Sequence, residues 1–300
     1  MNFTPTKSQK SSGKSKGFIW AGLAVLAIAL GVGYYFLFGL SANGKGANTL
    51  VLGHAGSGFF SPLFPFNPLP PNSMASIVEA IEDDGADGVE VDVQLSKDGV
   101  PILYHDVDLE SMTEKQGKIE DLPASEVVGL RYTGGFVYEL FHDEKIITLE
   151  ALLQRFSTYG TFPHLHIDLR NHNPARHQYY AQTLMALLNK YKVPQEKLVF
   201  ISPNPDFLEA FREVEPRSTL MIDTGGNFEE ALQQILEHNF DGVCANGKEV
   251  TEAQVQEARQ HNLQVVLFGG KSRSRIAKML SLEPDAIQVN NVETMRSMVD

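Results

Sequence analysis

From residue 49 to residue 300, short apolar runs alternate with longer amphipathic ones, and this alternation restricts the chain to folds built from repeated βα units. The runs at 49–54, 88–95, 101–105, 164–169, 198–202, 218–222, 242–245, 264–268 and 286–289 read as strands. Between most of them, the segments 73–83, 149–159, 175–191, 206–214, 228–238, 251–261 and 274–282 place apolar residues three and four apart, the helical period. Start signals accompany several of these: Asn72 or Ser73, Thr148 with Glu150 behind it, and Thr251 with Gln254 three residues on. The expected product is an α/β architecture, an eight-stranded (β/α)8 TIM barrel over residues 49–300. In such a barrel the chemistry gathers at the C-terminal ends of the strands.

The segment before the barrel has a different character. Residues 17–40 form an apolar run without charge, preceded by a polar tail, residues 1–16, that holds Lys7, Lys10, Lys14 and Lys16. About 20 residues cross a hydrocarbon core of roughly 30 Å, whereas a cleavable signal carries an apolar region of only about 7 to 15. The run is therefore expected to be an uncleaved transmembrane anchor, with Trp20, Tyr34 and Tyr35 at its interfaces and residues 41–48 as a linker. A long signal peptide cut near Ser41 or Ala42 is the alternative. Lysines gathered before the run, against Lys45 after it, orient the N-terminus to the cytoplasm and the barrel to the periplasmic or extracellular side.

Charge and cysteine content exclude several functions. Residues 1–48 hold five Lys and no acid, which leaves 20 basic and 37 acidic side chains in the remainder, a net of −17. A body so acidic lacks the footprint that nucleic acid requires, and any phosphate it handles must meet a local cation. The single cysteine, Cys244, excludes an internal disulfide and reads as a small core residue.

The strand ends carry the candidate chemistry. His54 closes the first run, Glu90 and Asp92 lie in the second, His105 and Asp106 close the next, and Asp168 and Arg170 close the one after. Glu90 and Asp92 are two apart on a strand and share a face. Val89, Val91 and Val93 form the apolar set that faces the helices, which turns the carboxylates inward. Two inward carboxylates repel unless a cation sits between them, and oxygen ligands suit Mg2+ or Ca2+. His164, His166, His172 and His177 match no compact zinc spacing and read as surface or rim imidazoles.

The stretch 85–106, GADGVEVDVQLSKDGVPILYHD, resembles the core of glycerophosphodiester phosphodiesterases. Gly117-Lys118-Ile119 before Asp121-Leu122, Ile147-Thr148-Leu149-Glu150, and Ile167-Asp168-Leu169-Arg170, where the family usually has Glu and Lys, extend the likeness over roughly residues 50–300. Departures are equally visible. The family's His-Arg-Gly is His54-Ala55-Gly56, its Pro-Glu-Asn-Thr is Pro70-Pro71-Asn72-Ser73, its common Trp is Phe268, and its Thr-Asp pair is Val289-Asn290. An Arg and a Glu lost together point to an ion pair in relatives, since replacing both partners can be neutral while losing one costs about 3 to 5 kcal/mol.

The resemblance implies metal-dependent hydrolysis of glycerophosphodiesters to glycerol 3-phosphate and an alcohol. It implies Glu90, Asp92 and Asp168 as metal ligands and His54 and His105 as acid and base. With the family Arg missing, phosphate contacts are expected from Arg170 and from Lys271 in the Gly269–Arg273 segment. Ser57 to Pro70 carries four Phe and should roof the pocket as a lid or an apolar contact for lipid. A phospholipase D-like or phosphoinositide-lyase-like activity, or a non-catalytic membrane-tethered binding module, are the rival readings.

Overall fold

The computed structural model describes residues 25–28, 31, 48–59, 69–133 and 143–300. Two compact units divide the chain, residues 1–41 and 42–300. In the first, Val25, Leu26, Ala27, Ile28 and Gly31 are helical and exposed. The expected tail, anchor and linker otherwise lie outside the described residues, and among the described residues no helix is long and apolar enough to cross a membrane.

The second unit is the expected barrel. Its chain order is β1 (Leu50–His54), α1 (Met74–Val78), β2 (Gly88–Leu95), β3 (Pro101–Leu103), α2 (Leu149–Phe156), β4 (His164–Arg170), α3 (His177–Lys190), β5 (Leu198–Ser202) and α4 (Pro205–Val214). There follow β6 (Thr219–Asp223), α5 (Phe228–His238), β7 (Gly242–Asn246), α6 (Glu252–Gln260), β8 (Gln264–Gly269), α7 (Arg273–Leu280), β9 (Ala286–Val289) and α8 (Val292–Val299). Eight parallel strands close into a ring because β1 pairs with both β2 and β9. Val89, Val91 and Val93 pack outward among the helices, and Leu52, Val199, Ile201, Met221, Cys244, Val266 and Ala286 form a separate buried cluster. Cys244 is thus a core residue, as its setting in an apolar run implied.

One expected barrel strand is something else. Residues 101–103 run antiparallel to β2, with Val93 opposite Leu103, and lie outside the ring. The physical reason is the five-residue connection after Leu95: a parallel crossover needs a dozen residues or more, while an antiparallel return needs only a tight turn. His105 therefore follows a hairpin and does not end a barrel strand. Two further differences concern helices. The first, expected over 73–83, changes after Val78 into a π-helical turn, Glu79–Asp83, and α8 was not among the expected helices. The caps agree with the expected signals: Ser73 accepts from the Ser76 amide, Thr148 from Ala151, and Thr251 with Gln254 forms a reciprocal capping box.

The π-helical turn ends on an electrostatic liability. Asp84 is half-buried beside Glu79, Glu293 and Asp83, and burial foremost, then these carboxylates, push its carboxyl up to about 6. The folded state disfavours the ionised form, so no penalty exists below about pH 4, it grows between about pH 4 and 6, and it is complete above. Discounted for solvent screening, it amounts to about 1 kcal/mol. Asp84→Asn is expected to raise urea stability by that amount at about pH 8 and by almost nothing at about pH 4. A gain independent of pH would show that charge is not the cause.

Candidate active site

Strand register assembles the site. In the β1–β2 pairing His54 stands opposite Glu90, and in the β2–β4 pairing Asp92 stands opposite Asp168. Because side chains alternate along a strand, Glu90 and Asp92 on β2 and His166, Asp168 and Arg170 on β4 all turn to the ring's inner face. The structure thus brings together five of the expected residues on strands, His54, Glu90, Asp92, Asp168 and Arg170, and His105 joins them from the segment after β3. Phe59 spans the two imidazoles, its ring edge-on to His54 at 4.9 Å and to His105 at 5.0 Å. That much of the expected roof is described; residues 60–68 lie outside the described residues.

The carboxylates form a trio with ligand atoms within 4.8 Å of one another. Glu90 and Asp92 are almost wholly buried and Asp168 nearly so. Arg170 Nη2 reaches Asp92 Oδ1 at 3.0 Å and Asp168 Oδ2 at 2.6 Å. Burial works against the Arg170 charge, yet Asp168, Asp92 and Glu90 outweigh it and hold the guanidinium charged. Three carboxylates against one guanidinium leave two negative charges uncompensated. Consequently burial, then Asp92 and Asp168, push Glu90 well above the carboxylate range, and burial with Asp92 and Asp223 lifts Asp168 to about 7. Asp168 Oδ1 is buried without a hydrogen-bond partner. A hard divalent cation fits this donor set: it neutralises the two excess charges and would engage the orphaned oxygen.

Each imidazole is oriented through Nδ1. His54 Nδ1 lies 3.0 Å from Asn290 Oδ1, and His105 Nδ1 lies 2.7 Å from Asp106 Oδ1. Donation from Nδ1 to these oxygens leaves Nε2 as the acceptor on both rings. Burial foremost lowers His54 to about 4, against the pull of Asp92 and Asn290, so it is neutral at physiological pH.

Two participants, Asn72 and Asp223, were not among the expected site residues. Asn72, with φ of 63°, donates from Nδ2 to Asp92 Oδ2 at 2.8 Å and accepts from the Asp92 amide at 3.0 Å. Its left-handed backbone, which asparagine tolerates, lets its own amide donate to the Ala55 carbonyl at 2.8 Å. Asn72→Ala removes two buried hydrogen bonds, one to a charged group, and keeps the strained backbone. A loss of about 2 to 4 kcal/mol in urea unfolding is expected, and a loss below about 1 would show that the link is not structural. Asp223 at the end of β6 lines the same cavity, of about 110 Å³, with burial raising its carboxyl. The strand-end rule that selected Asp168 would have found it, directly after the apolar run Leu220 to Ile222.

Other expectations are corrected or refined. His166 is no rim residue: it is buried inside the ring, 3.2 Å from Gln288 Nε2, and burial drops it to about 3. His177 is buried too, stacked on Phe207 at 4.1 Å, whereas His172 is exposed. Arg170 reaches the carboxylates as described, and Lys271 Nζ donates to the Phe59 carbonyl at 3.2 Å at the edge of the site. Ala55 and Pro71, which stand where an Arg and a Glu were expected from the resemblance, are both buried. The Ala55 amide donates to Glu90 Oε2 at 2.9 Å. Gly56 completes the turn at φ 97°, where a Cβ would meet the Ser76 carbonyl carbon at 2.8 Å.

The chain matches the model of the glycerophosphoryl diester phosphodiesterase family over residues 61–294. It is similar to glycerophosphodiester phosphodiesterase 1 of Mus musculus, 37% identical over 82 residues, which are 27% of this chain and 24% of that relative. A glycerophosphodiester phosphodiesterase of Bacillus altitudinis is 25% identical over 220 residues, 73% of this chain and 88% of the relative. Among solved structures, an Oleispira antarctica phosphodiesterase in complex with the product sn-glycerol-3-phosphate shares the fold with a TM-score of 0.70 at 23% identity. The match covers 84% of this chain and 96% of that one. The mouse relative is matched over about a quarter of its length.

Proposed function

Because the chain belongs to the glycerophosphoryl diester phosphodiesterase family, we propose that it hydrolyses glycerophosphodiesters to glycerol 3-phosphate and an alcohol, with Mg2+ or Ca2+ held by Glu90, Asp92 and Asp168. The observation that carries this reading is the buried carboxylate trio with its unpartnered Asp168 oxygen, set beside two imidazoles. A bound cation would supply Lewis-acid stabilisation of charge on a non-bridging phosphate oxygen. The chain's own residues do the rest. One imidazole Nε2 takes the proton of the attacking hydroxyl, from water or from the substrate's glycerol, as its oxygen bonds to phosphorus. The other imidazole, protonated, delivers a proton to the departing alkoxide as the P–O bond breaks. Phe59 packs edge-on against both rings and spans the gap between them. Arg170 keeps the trio from full repulsion and lines the cavity that the scissile phosphate would enter.

The deciding assay measures glycerol 3-phosphate released from choline, ethanolamine, serine and inositol diesters, with divalent metal and with chelator. Release that requires metal supports the reading. No release from any donor, or release undiminished in excess chelator, overturns it.

The barrel is further proposed to sit on the periplasmic or extracellular side of a membrane, held by residues 17–40 with the N-terminus cytoplasmic. What supports this is the uncharged length of that run and the lysines before it. The apolar residues of the Phe59–Pro70 stretch are proposed as a further contact with lipid. A reporter fused after Asp300 is expected to behave as exported, and cytoplasmic reporter activity would overturn the orientation.

A further inference from the structure

Beside the reactive cavity lies a second one, of about 360 Å³. The two share His54 and Phe268 as a common wall. A diester whose phosphorus lay by the carboxylates would have a substituent close to this wall and to the second space. Three cations line it: Lys248 in the turn after β7, Lys271 before α7, and Arg275 in the first turn of α7. Among the described residues no carboxylate lines it. Lys271 is held by the Phe59 carbonyl, and among the described residues none of the three forms an ion pair.

Three cations thus face one cavity in a chain whose acids outnumber its bases 37 to 25. Some exposed cations, such as Arg131, Arg155 and Lys190, meet a carboxylate, and others, such as Lys97, Lys192 and Lys278, form no ion pair among the described residues; Lys248, Lys271 and Arg275 are distinguished by facing one cavity together. Cations drawn together without partners repel one another, and an anion between them removes that cost. Glycerol carries no charge, so an anion that reaches this space from the scissile phosphate belongs to the alcohol half of the substrate.

We propose that the cavity lined by Lys248, Lys271 and Arg275 is a subsite for a second anionic group on the alcohol. The preferred substrates are then glycerophosphodiesters whose head group itself carries a phosphate, ahead of neutral or cationic head groups. The assignment rests on the hydrolysis reading above for the position of the scissile phosphate.

Two ligands that differ by one phosphate test it: glycerophosphoinositol and glycerophosphoinositol 4-phosphate. Equilibrium binding to the full chain carrying His105→Ala, which slows turnover, is expected to be about tenfold tighter for the phosphorylated ligand. The difference should shrink as salt rises, because the three cations border solvent. Adding Lys248→Gln with Arg275→Gln should reduce the preference to less than about twofold, while the charge-preserving Lys248→Arg keeps it. Equal affinity for the two ligands, or a preference untouched by the paired Gln substitutions, overturns the subsite. Glycerol 3-phosphate release by the unmutated chain is scored separately. Release without the preference removes the subsite and leaves the hydrolase; the preference without release leaves the subsite and removes the hydrolase.

Discussion

Asp168→Ala is expected to lower turnover by about 10³-fold or more while leaving the barrel folded, and the reason lies in the charge balance of the site. A bound divalent cation contributes several kcal/mol of transition-state stabilisation, and each 1.36 kcal/mol is a factor of ten. Removing Asp168 takes away the proposed ligand whose Oδ1 is buried without a hydrogen-bond partner. Stability should change little, because the folded protein already disfavours ionised Asp168, and Arg170 keeps its contact with Asp92. Asp92→Ala and Glu90→Ala should abolish activity equally but cost more stability, since the first strands the Asn72 amide and the second the Ala55 N–H. The measurement pairs turnover in saturating metal with urea unfolding of the same preparations. Near-normal turnover of Asp168→Ala would remove this carboxylate from the metal site, and chelator should reproduce the loss in the unmutated chain.

His54→Ala and His105→Ala are each expected to lower turnover by about 10² to 10⁴-fold, the usual worth of general acid–base help. Both should still bind metal, since neither ring belongs to the carboxylate trio. The two are separable by chemistry. A nitrophenyl diester departs as a stable anion and needs little protonation, so the variant lacking the acid should recover on it while the variant lacking the base should not. If both variants retain near-normal turnover on a native glycerophosphodiester, neither imidazole carries a proton in the reaction.

Much of this could be read from sequence because it depends on period. Alternation along β2 put Glu90 and Asp92 on the face opposite the valines, and the structure agrees. The same rule applied to His164-Leu165-His166-Ile167-Asp168 places His166 on the inner face with Asp168, and reading it as a rim imidazole ignored that. Arg170 obeys it too, which is why its guanidinium meets carboxylates. What period cannot supply is partner and direction. An apolar run at 101–105 says strand, but only the short loop before it says antiparallel. Asn72 and Asn290 come from loops, where no repeat announces a role, and their importance appears only once strands distant in the chain are neighbours. The apolar content of 292–299 was too short a pattern to stand out as a helix.

The ring closes through the pairing of β1 with β9, segments separated by more than 230 positions, and the His54 to Asn290 contact spans 236 of them. Closure over such a distance is entropically late and slow. On a ribosome, His54 and all three carboxylates emerge long before the strand that completes their enclosure, so a nascent chain carries the reactive groups without the geometry that orients them. Gain of activity therefore reports the final folding event and no earlier one. In refolding from denaturant, enzyme activity should trail the recovery of secondary structure, and that lag is a clock for the docking of β9.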